Sequence, residues 1–259
     1  MDDSLNASIA EALEAPLELT PYMPELLEDL WALGTNPEMV VRLLAPRVSE
    51  NTRVLDLACG KGAVSVTLAR ILGCHVLGLD AMAPFIENAK DMAEKQHVAH
   101  LCQFVQCDIR EYRVEPNYFD VVILGAARPV LGSLAQSVGV LRTMVKPGGL
   151  MVLDDAYRDE AVFCRDLSVA ECLTREAAHV AMTAHGDRIV IEEDVPLNIL
   201  HAENERNNRF IQQRVAQLAE GHPAHAAWFC AYASRQLYEC YLLENCYRCA
   251  VWVLEKKVG

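Results

Sequence analysis

A glycine-containing segment, VLDLACGKGAVSVTLA at residues 54–69, has the residue types of a ligand-binding loop. Gly60 and Gly62 allow the backbone to come close to a ligand. The helix predicted to begin at Ala63 directs unpaired N–H groups and the positive end of its dipole at the same place. Asp56 adds a carboxylate, which repels a phosphate and attracts an ammonium group, so the segment predicts a ligand with a cationic part.

Two phosphate-binding loops match this segment poorly. A P-loop has the pattern G-x-x-x-x-G-K-[ST], but here Lys61 precedes Gly62 and no Ser or Thr follows it directly. A dinucleotide loop has the pattern G-x-G-x-x-G, and Ser65 stands at its third glycine position. A nicotinamide-dependent oxidoreductase is therefore disfavoured, and it remains the alternative class of enzyme.

Two further carboxylates close apolar segments. Asp80 ends HVLGLD, 18 residues after Gly62, where an acid can accept hydrogen bonds from both hydroxyl groups of a ribose. Asp108 ends FVQCD, where it can accept from the amino group of an adenine while Ile109 covers the ring. Together the three acids predict a ligand with an amino-acid end, a ribose and an adenine, and without phosphate.

These acids need strands that end side by side, and the sequence predicts such strands. Short apolar segments alternate with helical ones, in the order RVLDLA, HVLGLD, CQFVQCD, FDVVILG and LMVLDD. This alternation indicates βαβ units and a doubly wound parallel sheet. A helical stretch is predicted for 160–184, strands for DRIVIEE and YRCAVWVLEKK, and two helices between these strands.

The segment from about 53 to 155 resembles the core of class I S-adenosylmethionine-dependent methyltransferases. Five landmarks occur in the family's order: VLDLACGKG, LGLDAM, CDI, FDVVILG and LRTMVKPGGLMVLDD. Ala58 departs from the commonest pattern, which has a glycine there. The resemblance implies an α/β, Rossmann-like, doubly wound sheet of seven strands in the order 3-2-1-4-5-7-6, with the last strand antiparallel.

The resemblance also implies a division of the chain. We expect a single methyltransferase domain over 1–259, with an N-terminal helical cap at 1–45 and a cofactor-binding core at 53–155. A helical lid at 197–245 is expected between strands 6 and 7. The N-terminal segment around Tyr22, Trp31 and Gly34 is expected to close over the cofactor.

S-Adenosylmethionine is the cofactor that the resemblance implies, and its binding residues follow from the matched motifs. The glycine motif and the end of the fourth strand would hold the methionine end, the second motif the ribose and the third the adenine. The expected cofactor-binding residues are Asp56, Ala58, Gly60, Gly62, Asp80, Ala81, Met82, Asp108, Ile109, Leu124 and Gly125.

Methyl transfer from this cofactor is an in-line displacement, which mainly requires alignment of the acceptor with the methyl group. A general base is needed only if the acceptor must lose a proton. Candidates for that base are Asp155, Tyr157, His201 and Tyr232. Because no such residue is strictly required, a non-catalytic protein that binds S-adenosylmethionine remains a second alternative.

The overall composition limits the classes of partner that the protein is expected to bind. The chain of 259 residues has a formal net charge of −13, which disfavours nucleic acid and favours a small-molecule acceptor. No apolar segment is long enough to span a membrane, and we expect a cytoplasmic protein with reduced thiols among its ten cysteines. Cys246 and Cys249 form a lone C-x-x-C, so no metal site is predicted, and a homodimer is an open possibility.

Overall fold

A seven-stranded sheet forms the centre of the fold in a computed structural model, which describes residues 3–127, 130–161, 169 and 172–258. Its strand order, β3-β2-β1-β4-β5-β7-β6, and its antiparallel last strand confirm the predicted fold class. The strands are β1 Arg53–Leu57, β2 His75–Asp80, β3 Cys102–Gln106, β4 Phe119–Gly125, β5 Val145–Arg158, β6 Arg188–Asp194 and β7 Tyr247–Glu255.

The first strand is central and pairs in parallel with both β2 and β4. Asp56 lies opposite Gly78 on one side and opposite Ile123 on the other. Four of the five residues of β1 are buried, as expected for a strand covered on both faces. Because the strand order changes direction between β1 and β4, the carboxyl ends of these two strands border the crevice in which such sheets bind ligands.

The helix Pro37–Leu44 begins where its local capping signal predicts. Asn36 accepts a hydrogen bond from the backbone N–H of Met39 at 2.8 Å, and Pro37 is the first residue of its helix. The helices are α1 Asp3–Ala12, α2 Met23–Leu26, α3 Pro37–Leu44, α4 Ala63–Leu72, α5 Ala83–Lys95, α6 Leu134–Met144, α7 Arg175–Thr183, α8 Leu197–Gly221 and α9 Ala226–Asn245, with 3-10 helices at Leu17–Tyr22 and Pro223–His225.

The helical stretch predicted for 160–184 is observed only in its last part, as α7. Residues 162–168, 170 and 171 of that prediction lie outside the described residues. Among the helices that the structure describes, none is long and apolar enough to cross a membrane.

The chain divides into two compact units. The sheet unit contains the described residues of Ala32–Asp155, Glu176–Glu193 and Ala250–Gly259. The helical unit contains those of Met1–Trp31, Ala156–Arg175 and Asp194–Cys249. The N-terminal segment expected as one cap at 1–45 is thus shared between the units, because its last part, including α3, packs against α4 in the sheet unit.

Candidate functional site

The loop between β1 and α4 has a left-handed backbone at three positions. The φ angles are +57° at Ala58, +54° at Gly60 and +76° at Gly62. A Cβ atom at Gly62 would lie 2.8 Å from the Cβ of Ala89, so both the φ angle and the close packing require glycine there. This loop therefore brings bare backbone to the carboxyl end of the central strand.

Ala58 adopts the backbone that the more usual glycine would adopt. A left-handed conformation costs an alanine roughly 1–2 kcal/mol. The loop thus keeps the shape expected from the glycine motif despite the substitution, and the alanine adds strain beside the candidate site.

Asp56 and Ser65 form a buried pair under this loop. The Ser65 hydroxyl donates to Asp56 Oδ2 at 2.6 Å, and the two residues are 0% and 3% exposed, respectively. Burial raises the pKa of the Asp56 carboxyl to about 7; the Ser65 hydrogen bond lowers it and the charge of Asp80 raises it. The sequence pattern marks Ser65 only as the absent third glycine, although a small hydroxyl in the first turn of α4 is a natural partner for an acid on β1.

Asp80 connects the end of β2 to the glycine loop. Its Oδ2 accepts from the backbone N–H of Gly60 at 2.9 Å, and its Oδ1 accepts from the N–H of Met82 at 2.8 Å. Burial raises the pKa of this carboxyl, and these backbone hydrogen bonds oppose the rise. The structure thus brings Asp80 and the loop together, as their sequence positions imply, while the ribose contact stays a prediction.

The next residues also fall at the carboxyl edge of the sheet. Met82 is buried and precedes α5, and the carbonyl oxygen of Ala81 accepts a hydrogen bond from Gln106 Nε2 at 3.0 Å. This side-chain bond links the residues that follow β2 to the end of β3. Ala81 and Met82 are therefore held in one place beside Asp80.

Asp108 is held by a residue that sequence reasoning did not select. Nε and Nη2 of Arg110 donate to Asp108 Oδ2 at 2.9 and 2.6 Å, and the backbone N–H of Arg110 donates to Oδ1 at 2.9 Å. The hydrogen bonds from Arg110 lower the pKa of the Asp108 carboxyl. Ile109, which lies between these two residues in the sequence, is buried. An adenine amino group bound to Asp108 would share the carboxylate with Arg110.

The carboxyl end of β4 is covered by a segment that precedes α3. Leu124 is buried, and a Cβ atom at Gly125 would collide with Thr35 Oγ1. A Cβ at Gly34 would lie 2.6 Å from the Cβ of Ala126. Gly34 thus lies at the expected edge of the sheet, whereas Tyr22 and Trp31 belong to the helical unit.

Asp155 and Tyr157, two of the four candidate bases, lie on β5. Asp155 is half-buried and follows Asp154, which pairs with Gly125. Tyr157 is 5% exposed, and its hydroxyl donates to the two carboxylate oxygens of Asp194 at 3.1 and 3.2 Å. The Arg175 guanidinium lies 5.8 Å from the centre of the Tyr157 ring. The phenol of Tyr157 is thus oriented by a carboxylate that sequence analysis missed, because 37 residues separate the partners.

His201 and Tyr232, the other two candidates, lie in the helical unit and have opposite surroundings. His201 is exposed on α8, and its Nδ1 lies 2.8 Å from Glu244 Oε2, so its pKa is raised mainly by that hydrogen bond. Tyr232 is 3% exposed on α9, and burial raises the pKa of its hydroxyl, with a further contribution from Glu14. Burial opposes deprotonation of Tyr232 and favours a packing role.

The cysteines differ from expectation at one position. Cys246 is disulfide-bonded, whereas the expectation was a fully reduced set of thiols. That expectation rested on chain length, which does not reveal which sulfur atoms folding brings together. Cys249 of the same C-x-x-C forms no disulfide, and neither do Cys59, Cys74, Cys102, Cys107, Cys172, Cys230 and Cys240. Within the described ranges, no three His, Cys, Asp or Glu residues are grouped as metal ligands.

Comparisons with known proteins agree with this architecture. The profile of a family described as "Methyltransferase domain" matches residues 48–220. A 2-phytyl-1,4-naphtoquinone methyltransferase from Nostoc punctiforme is 31% identical over 137 residues, which are 51% of this chain and 59% of that protein. The chain thus spans little more than half the length of this curated relative.

Two solved structures show the same fold over most of the chain. A SAM-dependent methyltransferase from Thiobacillus denitrificans, in complex with S-adenosyl-L-homocysteine, has a TM-score of 0.78 at 20% identity and covers 91% of this chain and 98% of its own. The [4+2]-cyclase SpnF has a TM-score of 0.70 at 20% identity and covers 98% of this chain and 96% of its own. The fold is therefore shared by proteins of different reaction types.

Proposed function

Because the chain belongs to the methyltransferase-domain family, we propose that it transfers the methyl group of S-adenosylmethionine to a small-molecule acceptor. The observation that carries the proposal is the position of Asp80. Its carboxylate is hydrogen-bonded to Gly60 of the glycine loop, at the edge where doubly wound sheets bind a ribose. The loop and this acid thus form one hydrogen-bonded cradle.

The residues of this cradle fit S-adenosylmethionine better than a dinucleotide. Asp56 lies under the loop and becomes ionised near neutral pH, so it stabilises an ammonium group and repels a pyrophosphate. Ser65, which replaces the third glycine of the dinucleotide pattern, is buried as the partner of Asp56. When bound, the cofactor supplies an activated methyl group, and the chain supplies binding and orientation.

The acceptor is proposed to be a small molecule. The relative from Nostoc punctiforme carries a quinone in its name, and the net charge of −13 is unfavourable for a nucleic-acid acceptor. A cytoplasmic location belongs to the same proposal and is supported by the eight cysteines of the described chain that form no disulfide, while the disulfide of Cys246 is the observation against it.

If the acceptor must lose a proton, we propose Tyr157 as the group that accepts it, because Asp194 orients its hydroxyl and could take up the phenolic proton. Asp155 and exposed His201 are the other candidates. The variants Tyr157→Phe, Asp155→Asn and His201→Gln separate these candidates. Replacement of the residue that acts as the base should lower kcat by about 100-fold or more, and the other two substitutions should not. The same variant should bind S-adenosylhomocysteine as tightly as the wild-type protein.

Two measurements test the function itself. Calorimetry with S-adenosylhomocysteine and with NAD should detect only the first ligand, and binding of NAD alone would favour the oxidoreductase. Transfer of labelled methyl groups to a panel of small molecules then separates an enzyme from a non-catalytic binder. The fold by itself does not decide between these outcomes, because a [4+2]-cyclase shares it. Cofactor binding without transfer to any class of acceptor would contradict our proposal.

A further inference from the structure

Thr35 carries a buried hydroxyl group with no protein partner. The residue is 8% exposed, and its Oγ1 makes no hydrogen bond in the described structure. An unpaired buried hydroxyl costs roughly 1–3 kcal/mol. It is not needed as a helix cap, because the neighbouring Asn36 caps α3. A hydroxyl kept at such a cost indicates a partner outside the chain.

The hydroxyl of Thr35 is the part of the side chain that is nearest to the end of β4. Measured from a Cβ position built at Gly125, Oγ1 is the closest Thr35 atom, and Cβ and Cγ2 follow at 3.1 and 3.4 Å. The oxygen therefore points towards the carboxyl end of β4 and leaves its methyl group farther away. Glycine at position 125 provides the space that this orientation needs.

The neighbours of Thr35 place it at the ligand crevice of the sheet. The Cδ1 atom of Leu33 lies 3.1 Å from a Cβ position at Gly60, and Gly34 packs against Ala126. The segment 33–35 thus contacts the loop that follows β1 and the end of β4, and the strand order changes direction between these two strands. In sheets of this type the ligand occupies the crevice at this point.

The position of Asp80 decides which part of the ligand reaches Thr35. Asp80 ends β2, on the side of β1 opposite to β4, and would hold the ribose there. The part of the cofactor that extends away from the ribose, across β1 towards β4, is the amino-acid end. It carries a carboxylate and an ammonium group, and a hydroxyl can donate to the first or accept from the second.

We propose that the Thr35 hydroxyl hydrogen-bonds the amino-acid end of S-adenosylmethionine and thereby positions the cofactor. This inference rests on the proposed function and adds to it a residue outside every motif that identified the core. Within the part of the chain that the structure describes, two other buried hydroxyls lack partners, those of Thr20 and Ser137. Neither lies at the end of a strand, since Thr20 is in a 3-10 helix and Ser137 is in α6.

The test compares two ligands and three variants by calorimetry. S-Adenosylhomocysteine contains the amino-acid end, and 5′-methylthioadenosine lacks it but retains the adenosine and the thioether. Thr35→Val removes the hydroxyl at nearly constant shape, and Thr35→Ser retains it. Ser137→Ala, which removes a buried unpaired hydroxyl elsewhere in the sheet unit, is the matched control.

We expect Thr35→Val to weaken S-adenosylhomocysteine binding about 10- to 100-fold, with the affinity for 5′-methylthioadenosine unchanged. Thr35→Ser and Ser137→Ala should bind both ligands as the wild-type protein does. The ligand-free Thr35→Val protein should melt at the same or a higher temperature, because an unpaired polar group is removed.

Undiminished S-adenosylhomocysteine binding by Thr35→Val would overturn the inference and leave the proposed function intact. An equal loss for the two ligands, or a lower melting temperature of the ligand-free protein, would show that Thr35 supports the fold instead. If the wild-type protein bound neither ligand, the proposed function and this inference would both be overturned.

Discussion

The Ser65 hydroxyl donates a 2.6 Å hydrogen bond to Asp56 Oδ2 beneath the glycine loop, and both side chains are buried. Burial outweighs the hydrogen bonds that the side chain and the backbone of Ser65 make to this carboxyl, so its pKa is raised to about 7. The charge state of Asp56 therefore changes near neutral pH, next to the place where we propose that an ammonium group binds.

The affinity for S-adenosylhomocysteine should depend on pH through Asp56. Below pH 7 the carboxyl is protonated in the free protein, and a bound ammonium group favours its ionised form, so binding releases a proton. The affinity should rise by up to about tenfold per pH unit between pH 5 and 7 and level off above pH 7. Calorimetry over this range, in buffers of different ionisation enthalpy, measures both quantities.

Two variants at this pair control the pH experiment. Asp56→Asn should bind with little dependence on pH, because the titrating group is absent. Ser65→Ala should move the levelling-off to higher pH, since the Ser65 hydrogen bond lowers the pKa of Asp56. An unchanged pH profile in Asp56→Asn would assign the dependence to another group.

Replacement of Asp80 should weaken cofactor binding. Asp80→Ala removes the acceptor proposed for the ribose and should cost about 2–3 kcal/mol of binding free energy, or a tens- to hundredfold loss of affinity. Asp80→Asn should lose less, because an amide oxygen can still accept from Gly60 or Met82. Titration calorimetry gives both values, with exposed Asp91→Ala on α5 as the control. Wild-type affinity in Asp80→Ala would show that the ribose binds elsewhere.

Asp108 should discriminate between adenine and its deaminated form. S-Inosylhomocysteine lacks the amino group that Asp108 would accept from, so the wild-type protein should bind it about tenfold more weakly than S-adenosylhomocysteine. Asp108→Ala should bind the two ligands equally. Arg110→Ala serves as a separate control, because it frees the carboxylate but leaves it in place, and it should retain the preference for adenine. A preference that survives in Asp108→Ala would contradict this role.

Ala58→Gly should stabilise the protein. The substitution removes the strain of a left-handed alanine, which stabilises the folded protein by roughly 1–2 kcal/mol. Glycine also gives the unfolded chain more conformational entropy, which offsets roughly 0.4–1 kcal/mol of that gain. We therefore expect a net gain of about 0.5–1 kcal/mol in the free energy of unfolding, measured in urea. Exposed Ala231→Gly within α9 should instead cost about 1 kcal/mol. A loss of stability in Ala58→Gly would mean that the methyl group makes a useful contact.

Asp187→Ala should destabilise the sheet unit. The Asp187 side chain is 0% exposed and accepts hydrogen bonds from Arg142 Nε at 2.9 Å and from the Lys257 N–H at 3.1 Å. Its loss leaves the partly buried Arg142 without this partner and should cost about 3 kcal/mol in urea unfolding. The exposed pair of Glu87 and Lys90 is the control, because Glu87→Ala should change stability by less than about 0.5 kcal/mol. Equal effects at the two sites would contradict the importance of burial.

The sequence by itself determined the order of the elements and the positions of the main candidates. Alternating apolar segments predicted the parallel sheet, and the glycine spacing predicted the loop after β1. The acids at 56, 80 and 108 were identifiable because Asp56 lies within a strand, Asp80 closes one and Asp108 follows β3, which ends at Gln106 and not at Asp108 as the sequence predicts. Parallel strands end at one edge of the sheet. These features are local, since they depend on backbone preferences and on the burial of neighbouring residues in the chain.

Only the tertiary structure decided which hydrogen-bond partners these side chains have and in which direction their pKa values are shifted. The hydrogen bonds from Ser65 to Asp56 and from Tyr157 to Asp194 join residues of different elements, and the Thr35 hydroxyl is left without a partner by the packing around it. It also decided that the chain divides after Trp31 and that Tyr232 is buried. The physical reason is that hydrogen-bond partners and desolvation depend on which surfaces pack together, and spacing along the chain does not specify that packing.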